Sequence, residues 1–385
     1  MKSEGPSGMF ILKAVLFAGI LWAIAVSAVA QTATEAQAEA LARQGRLEEA
    51  AQAWEAVVAA HPRDAAAIAS LGLVRSREGQ YAEAAKAYRK ALAIRPKLPG
   101  VELDLGLAEF KQGHLKEAIS PFQAALREQP KSLQVQTLLG MTYYGTAQYA
   151  EAIPYLRAVA DKSPDNVELQ GVLAQSCLYA KQYACTLQVY KRILTVNPNS
   201  AQAHMLAGEA WDGMHEQEKA TAEFEEAEKV APNEPNVHFG LGYLYWKEKR
   251  YADAEREFEL ELKNEPEYAQ ALGYLGDAEM RLEQDAAAQA TLEKAVRLPG
   301  AIRLAWLDLG IVLAGDGQKE AAAADMERAI AMDPSEVDAH WRLARLYEAM
   351  GKKEEARAEF AKAALLHQKE DEGLVQRMSG PQNRQ

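Results

Sequence analysis

Between Ala65 and Pro96, apolar and small residues fall at fixed places. Ile68, Leu71 and Gly72 come first, then Gly79, Tyr81, Ala84, Tyr88 and Ala91, with Pro96 closing the stretch. With Ala65 as position 1, positions 4, 7, 8 and 11 lie along one stripe of a helix. Gly79, at position 15, suits a turn, and the residues from Tyr81 onward repeat a helical spacing. Pro96 ends the second helix, because proline can neither donate to it nor continue it. The pattern therefore predicts a helix–turn–helix unit with small residues at positions 8 and 20, where the two helices approach.

A shift of 34 residues reproduces the unit as Leu105, Gly106, Gly113, Leu115, Ala118, Phe122, Ala125 and Pro130. The alanine at position 20 recurs from Ala50 through Ala84, Ala118, Ala152, Ala220, Ala254, Ala288 and Ala322 to Ala356, with Thr186 as the exception. A fixed period of this length marks a stacked repeat architecture. The unit resembles the tetratricopeptide repeat, and the resemblance covers residues 31–368 as ten tandem copies. It implies an all-α fold, a right-handed superhelical solenoid of helix-turn-helix units. One helix pair is too small to bury its own apolar face, so neighbouring copies must cover it.

Individual copies carry further expectations. Ala254 has room only for a small side chain, whereas Glu257 is expected to face solvent. Pro121 and Pro154 stand early in the second helices of repeats three and four, which are expected to begin just before them. Repeat five departs most, with Ala174, Cys177, Lys181 and Thr186 at pattern positions, and reads as a looser joint. In 369–385, the stretch Asp371–Met378 is expected to form a short capping helix and the remainder a disordered tail.

The N-terminal residues 1–30 have the layout of a secretory signal. Lys2 and Lys13 bring positive charge, Ala14–Val26 is apolar, and Ala28-Val29-Ala30 offers small residues for cleavage. Cutting before Gln31 would start the mature chain on the first residue of repeat one. The alternative is an uncleaved inner-membrane anchor, since Met9–Ala30 is long enough to span a bilayer. Either way the repeats are expected to reside in a bacterial periplasm, with membrane contact only through that segment.

A net charge of −12 without a basic stripe excludes nucleic acid as a partner. The acid gathers in second helices, from Glu216 through Glu223, Glu225, Glu226 and Glu228, and from Asp253 through Glu255, Glu257, Glu259 and Glu261. That distribution reads as a solvated outer face. Catalysis is not expected: there is no nucleophile–base pairing, no glycine-rich phosphate loop and no HExxH, and no cofactor is implied. Cys177 and Cys185, eight residues apart around a turn, could form a disulfide in an oxidising compartment, but two partly buried thiols are the favoured reading. His204, His238 and His340 all hold position 4, where they are expected to pack at repeat interfaces. Two of them come from adjacent copies, but a third ligand is missing, so no metal is expected.

Positions 2, 5, 9, 12 and 13 of each first helix form a second face, roughly 140° from the packed stripe. It carries Leu73 in repeat two, Leu103, Leu107 and Phe110 in repeat three, and Met141 and Tyr144 in repeat four. Leu178 and Tyr179 follow in repeat five, Phe239, Tyr243 and Trp246 in repeat seven, and Leu304, Leu307 and Ile311 in repeat nine. In the family this face lines the concave side where ligands bind, so the resemblance implies an apolar groove for a protein, peptide or partner helix. The alternative is that curvature buries these side chains against one another. A carboxylate-binding clamp of Lys, Asn and Arg, which some family members carry here, is not matched. The expected function is a non-catalytic interaction scaffold or adaptor of the cell envelope. The alternative is an assembly or chaperone-like factor for exported proteins, with an enzyme as a remote third reading.

Overall fold

The computed structural model describes residues 34–379. The expected signal segment 1–30 and residues 380–385 lie outside the described residues. Among the described residues there are twenty helices and no strands. The first helix spans 34–43, and the rest follow the 34-residue register. Repeat two pairs Ala65–Arg77 with Tyr81–Ile94, and repeat seven pairs Val237–Lys247 with Tyr251–Asn264. No described helix is both long and apolar enough to cross a membrane. The chain divides into two compact units at the turn of repeat five, one ending at Gln182 and the other beginning at Tyr183. In each unit, a repeat's second helix packs on the first helix of the next repeat.

The turn at position 15 is left-handed in every copy. Five copies place glycine there, for example Gly79 at φ +79°. Five consecutive copies instead force Ala147, Lys181, His215, Lys249 and Glu283 into the same region. A side chain in that conformation costs about 1–2 kcal/mol, and the hydrogen bonds of the motif offset the cost. The Ala147 N–H reaches the Tyr144 carbonyl at 3.0 Å and the Gln148 N–H reaches that of Tyr143 at 2.9 Å, the Schellman pair that ends a helix. At the other end, Asp64, Ser132, Asn166 and Ser200 cap first helices by accepting from backbone N–H groups.

Burial is wider than the stripe read from the sequence. Positions 3 and 10 of the first helices are buried as well, as with Ala67 and Val74 or Val237 and Leu244. These helices are packed on two sides, which leaves only a narrow free face. The glycine at position 8 is required by what lies opposite. A Cβ on Gly72 would meet the Tyr88 ring at 2.8 Å, and one on Gly106 would meet Phe122 at 2.5 Å. The neighbour it admits is therefore position 24. The alanine at position 20 is fully buried at Ala84, Ala118 and Ala254.

Polar ties repeat with the same register. Position 25 of one copy bonds position 11 of the next: Glu55 to Arg75, Arg89 to Glu109, Gln123 to Tyr143 at 2.7 Å, Glu225 to Tyr245 at 3.2 Å, and Glu327 to Tyr347. Between repeats seven and eight the same positions hold Glu259 and Glu279. Burial pushes Glu279 up to about 7, aided by the charges of Glu255 and Glu259 and opposed by a hydrogen bond to Thr291.

The structure corrects four expectations. Glu257 and Glu261 do not face solvent: each is 1% exposed. Glu261 accepts from the N–H groups of Asn236 and Phe239 at 3.1 and 3.0 Å, capping its own repeat's first helix. Pro121 and Pro154 lie inside helices that begin at Leu115 and Tyr149. The carbonyls they leave unbonded, on Glu117 and Ala150, belong to exposed residues that water can serve. The second helix of repeat ten runs unbroken from Lys353 to Ser379, through the stretch expected to form a separate cap. Finally, both cysteines are disulfide-bonded and neither is a free thiol.

A candidate partner-binding face on the first helices

In the first unit, positions 9 and 12 carry an apolar row across consecutive copies. Leu73 is 48% exposed, while Leu107, Phe110, Met141 and Tyr144 are half-buried, as is Leu103 at position 5. The Tyr144 hydroxyl donates to Gln175 Oε1 at 2.6 Å, joining repeats four and five along this face. Tyr149 holds the row's end: its ring centroid is 5.7 Å from that of Tyr144 and 4.8 Å from that of Tyr179. Tyr179 is 51% exposed, whereas Leu178, expected beside it, is buried. The sequence reading missed Gln175 and Tyr149. Gln175 holds position 9, where a polar residue was not sought, and Tyr149 belongs to a second helix.

The second unit treats its aromatic residues differently. Phe239, Tyr243 and Trp246 are half-buried and converge on Tyr274 of repeat eight, with centroids 6.1, 5.3 and 5.0 Å away. Phe239 also lies 4.9 Å from Tyr268 and 6.0 Å from the buried Phe258. Tyr243 stacks on Trp246 at 6.0 Å. Here the packing alternative prevails over a free groove, because these rings complete a cluster between repeats six, seven and eight. In repeat nine, Leu304 and Ile311 are half-buried and Leu307 is buried. Trp341, at position 5 of repeat ten, is 45% exposed. It satisfied the position rule and was overlooked.

Beneath the rings runs a polar seam. Trp246 Nε1 donates to Asp277 Oδ2 at 2.6 Å, and Arg281 approaches Asp277 Oδ1 at 3.3 Å. Tyr144–Gln175 and Trp246–Asp277 are the same tie, position 12 to position 9 of the next copy. Asp277 and Asp308 are both buried. Burial raises Asp308 well above the ordinary carboxyl range, and the charge of Asp277 and a hydrogen bond to it raise it further, against the lowering charges of Arg281 and Arg342.

The three histidines at position 4 each bond a glutamate at position 23 of the same copy through Nδ1. The pairs are His204–Glu223 at 2.8 Å, His238–Glu257 at 2.8 Å and His340–Glu359 at 2.6 Å. His238 has a second carboxyl nearby, Glu228 of repeat six. One side-chain atom from each of Glu228, His238 and Glu257 lies within 4.8 Å of the others, Glu228 coming from the second helix of the neighbouring copy.

Two tetratricopeptide-repeat profiles match the chain, one over residues 76–141 and 144–210, the other over 23–99, 217–263 and 307–373. The chain belongs to the tetratricopeptide-repeat family. Repeats of this kind serve protein–protein interaction, and at that level the molecule is an interaction scaffold of a generally non-catalytic class. No protein of curated function matches it. Among solved structures, a tetratricopeptide repeat protein from Parabacteroides merdae is 18% identical, with a TM-score of 0.49, 68% of this chain covered and 97% of the other. MamA is 24% identical, with a TM-score of 0.39, 43% of this chain and 96% of the other. YrrB, described as a TPR protein with an unusual peptide-binding site, is 23% identical, with a TM-score of 0.40, 46% of this chain and 91% of the other.

Proposed function

We propose that this chain is an exported adaptor that holds a protein segment against the apolar row of its first unit. The row of Leu73, Leu107, Phe110, Met141 and Tyr144, ending at the half-exposed Tyr179, carries the reading. These side chains are spaced one repeat apart and stand on helices already packed on two sides, so stability alone does not call for an apolar third side. Such a row suits a partner helix or extended peptide with apolar side chains at matching intervals. Trp341 offers a separate aromatic contact in the second unit.

Aromatic anchors at an interface commonly cost about 2 kcal/mol when truncated, roughly thirtyfold in affinity. The test is a pull-down from envelope extract with the wild-type chain, Leu73→Glu and Tyr179→Ala, followed by an affinity measurement on the partner recovered. Both variants should lose the partner; Leu73→Glu should melt as the wild type does, and Tyr179→Ala slightly earlier through the lost contact with Tyr149. Equal recovery by all three chains would remove the row from the binding surface. Many unfolded clients in place of one fixed partner would favour the chaperone-like role.

The proposed address is the periplasm. The signal layout of residues 1–30 supports it, and disulfide-bonded cysteines suit an oxidising compartment. Chain recovered from the periplasmic fraction should begin at Gln31 on N-terminal sequencing. A chain still carrying Trp22 and found with the membrane would show the anchored form instead.

A further inference from the structure

We propose that Glu228, His238 and Glu257 form a binding site for a divalent first-row metal ion, with zinc as its representative. The site belongs to the second unit and shares no residue with the proposed partner face, and comparison between copies singles it out. The position-4 to position-23 pair occurs in repeats six, seven and ten. The residue that the preceding copy places at position 28 is Leu194 before repeat six and Ile330 before repeat ten. Before repeat seven it is Glu228. Two pairs are therefore preceded at that register position by a hydrocarbon side chain, and the third by a carboxyl that reaches its histidine.

The geometry is close to what an ion requires. His238 Nδ1 lies 2.8 Å from Glu257 Oε2 and 3.9 Å from Glu228 Oε1, and one ligand atom from each of the three residues falls within 4.8 Å of the others. A tetrahedral ion with bonds of about 2.1 Å sets its ligand atoms about 3.4 Å apart, between those two separations. His238 and Glu257 are buried and fixed by packing, whereas the Glu228 side chain is 33% exposed and can make the adjustment. That exposure also leaves the ion a way in, and a water can complete the coordination.

Arg256 bonds the other oxygen of Glu257, Oε1, at 2.8 and 3.1 Å. It thereby orients Oε2 toward His238, the role outer partners play in metal sites. Its positive charge opposes the ion, but its side chain is 58% exposed and screened by water. One imidazole with two carboxyls favours zinc and its first-row neighbours over calcium or magnesium, which take oxygen ligands only. On binding, the ion replaces the proton held between Nδ1 and Oε2. The imidazole stays neutral with its N–H on Nε2, and affinity falls as pH falls because protons compete with the ion for the imidazole and the carboxylates. Because Glu228 comes from the second helix of repeat six and the other two ligands from repeat seven, the bound ion would fasten adjacent copies together.

The test uses full-length, tag-free protein stripped with a chelator and titrated calorimetrically with zinc, and in parallel with calcium and magnesium. One equivalent of zinc should bind and raise the melting temperature, and cobalt should give the visible absorption of a tetrahedral site. Glu228→Gln should weaken zinc about tenfold or more while leaving the metal-free melt unchanged, since its side chain is partly exposed. Glu223→Gln, in the same-register pair of repeat six, should leave zinc binding intact. No saturable zinc binding would overturn the site. So would a Glu228→Gln variant that binds zinc like the wild type, or calcium binding as tightly as zinc.

Discussion

Glu257→Ala is expected to destabilise the second unit by about 2–4 kcal/mol, while Glu218→Ala, on an exposed position of the preceding second helix, should cost under about 0.5 kcal/mol. The size follows from what the carboxyl holds. Glu257 is 1% exposed, accepts from His238 Nδ1 at 2.8 Å, and binds Arg256 through its other oxygen. Truncation leaves a buried imidazole facing a void and removes the counter-group of a guanidinium. The loss of one partner from a buried polar pair is the costly case, because the group left behind keeps its desolvation penalty. His204–Glu223 has the same register, but its side chains are 12% and 20% exposed, so Glu223→Ala should cost less than Glu257→Ala. Chemical denaturation of the three variants in metal-free buffer measures the ranking. Equal losses for Glu218 and Glu257 would mean that the buried pair contributes nothing.

Glu257 also shows where one chain's sequence stops being legible. The 34-residue period, the small residues at positions 8 and 20, and the turn at position 15 were readable because packing repeats them in every copy. Polar residues resist the same reading. Glu257 and the exposed Glu259 differ by two positions in an acidic helix, and hydropathy assigns both to water. What separates them is the identity of a residue nineteen places earlier, His238, so the burial of Glu257 is a property of a pair. The ties from position 25 to 11 and from position 12 to 9 hide for the same reason. Their chemistry changes from copy to copy, ion pair here and tyrosine hydroxyl there, while their geometry stays constant. Aligning the copies by position and asking which polar partners could complement one another would have found them. Turn chemistry was obscured in a different way, since Lys249 and Glu283 occupy a left-handed position that glycine alone would have announced.

The candidate face divides along the same line. In the first unit its apolar row was legible as spacing, and the structure leaves Leu73 and Tyr179 about half exposed. In the second unit the aromatic spacing was just as clear, yet Phe239, Tyr243 and Trp246 meet Tyr274. That residue comes from the next copy, at a position outside the second-face rule. Spacing on one helix identifies a face, and only the facing helix decides whether it remains free.

Trp246 accordingly has a structural role to test. Trp246→Phe is expected to destabilise the second unit by about 1.5–3 kcal/mol although an aromatic ring is retained. The indole N–H donates to Asp277 Oδ2 at 2.6 Å, and Asp277 is fully buried beside Asp308. Phenylalanine keeps most of the stacking with Tyr243 and Tyr274 but removes that donor, so the loss reports the hydrogen bond more than the packing. Arg281 remains at 3.3 Å from the other oxygen and limits the damage. A double-mutant cycle with Asp277→Asn separates the contributions. The neutral amide is cheaper to leave unbonded than a carboxyl, so Trp246→Phe should cost less in the Asp277→Asn background than in the wild type. Thermal and urea melts of the four chains supply the cycle. Strict additivity would show that Trp246 stabilises through its ring alone, and that the seam beneath the aromatic cluster does not hold repeats seven and eight together.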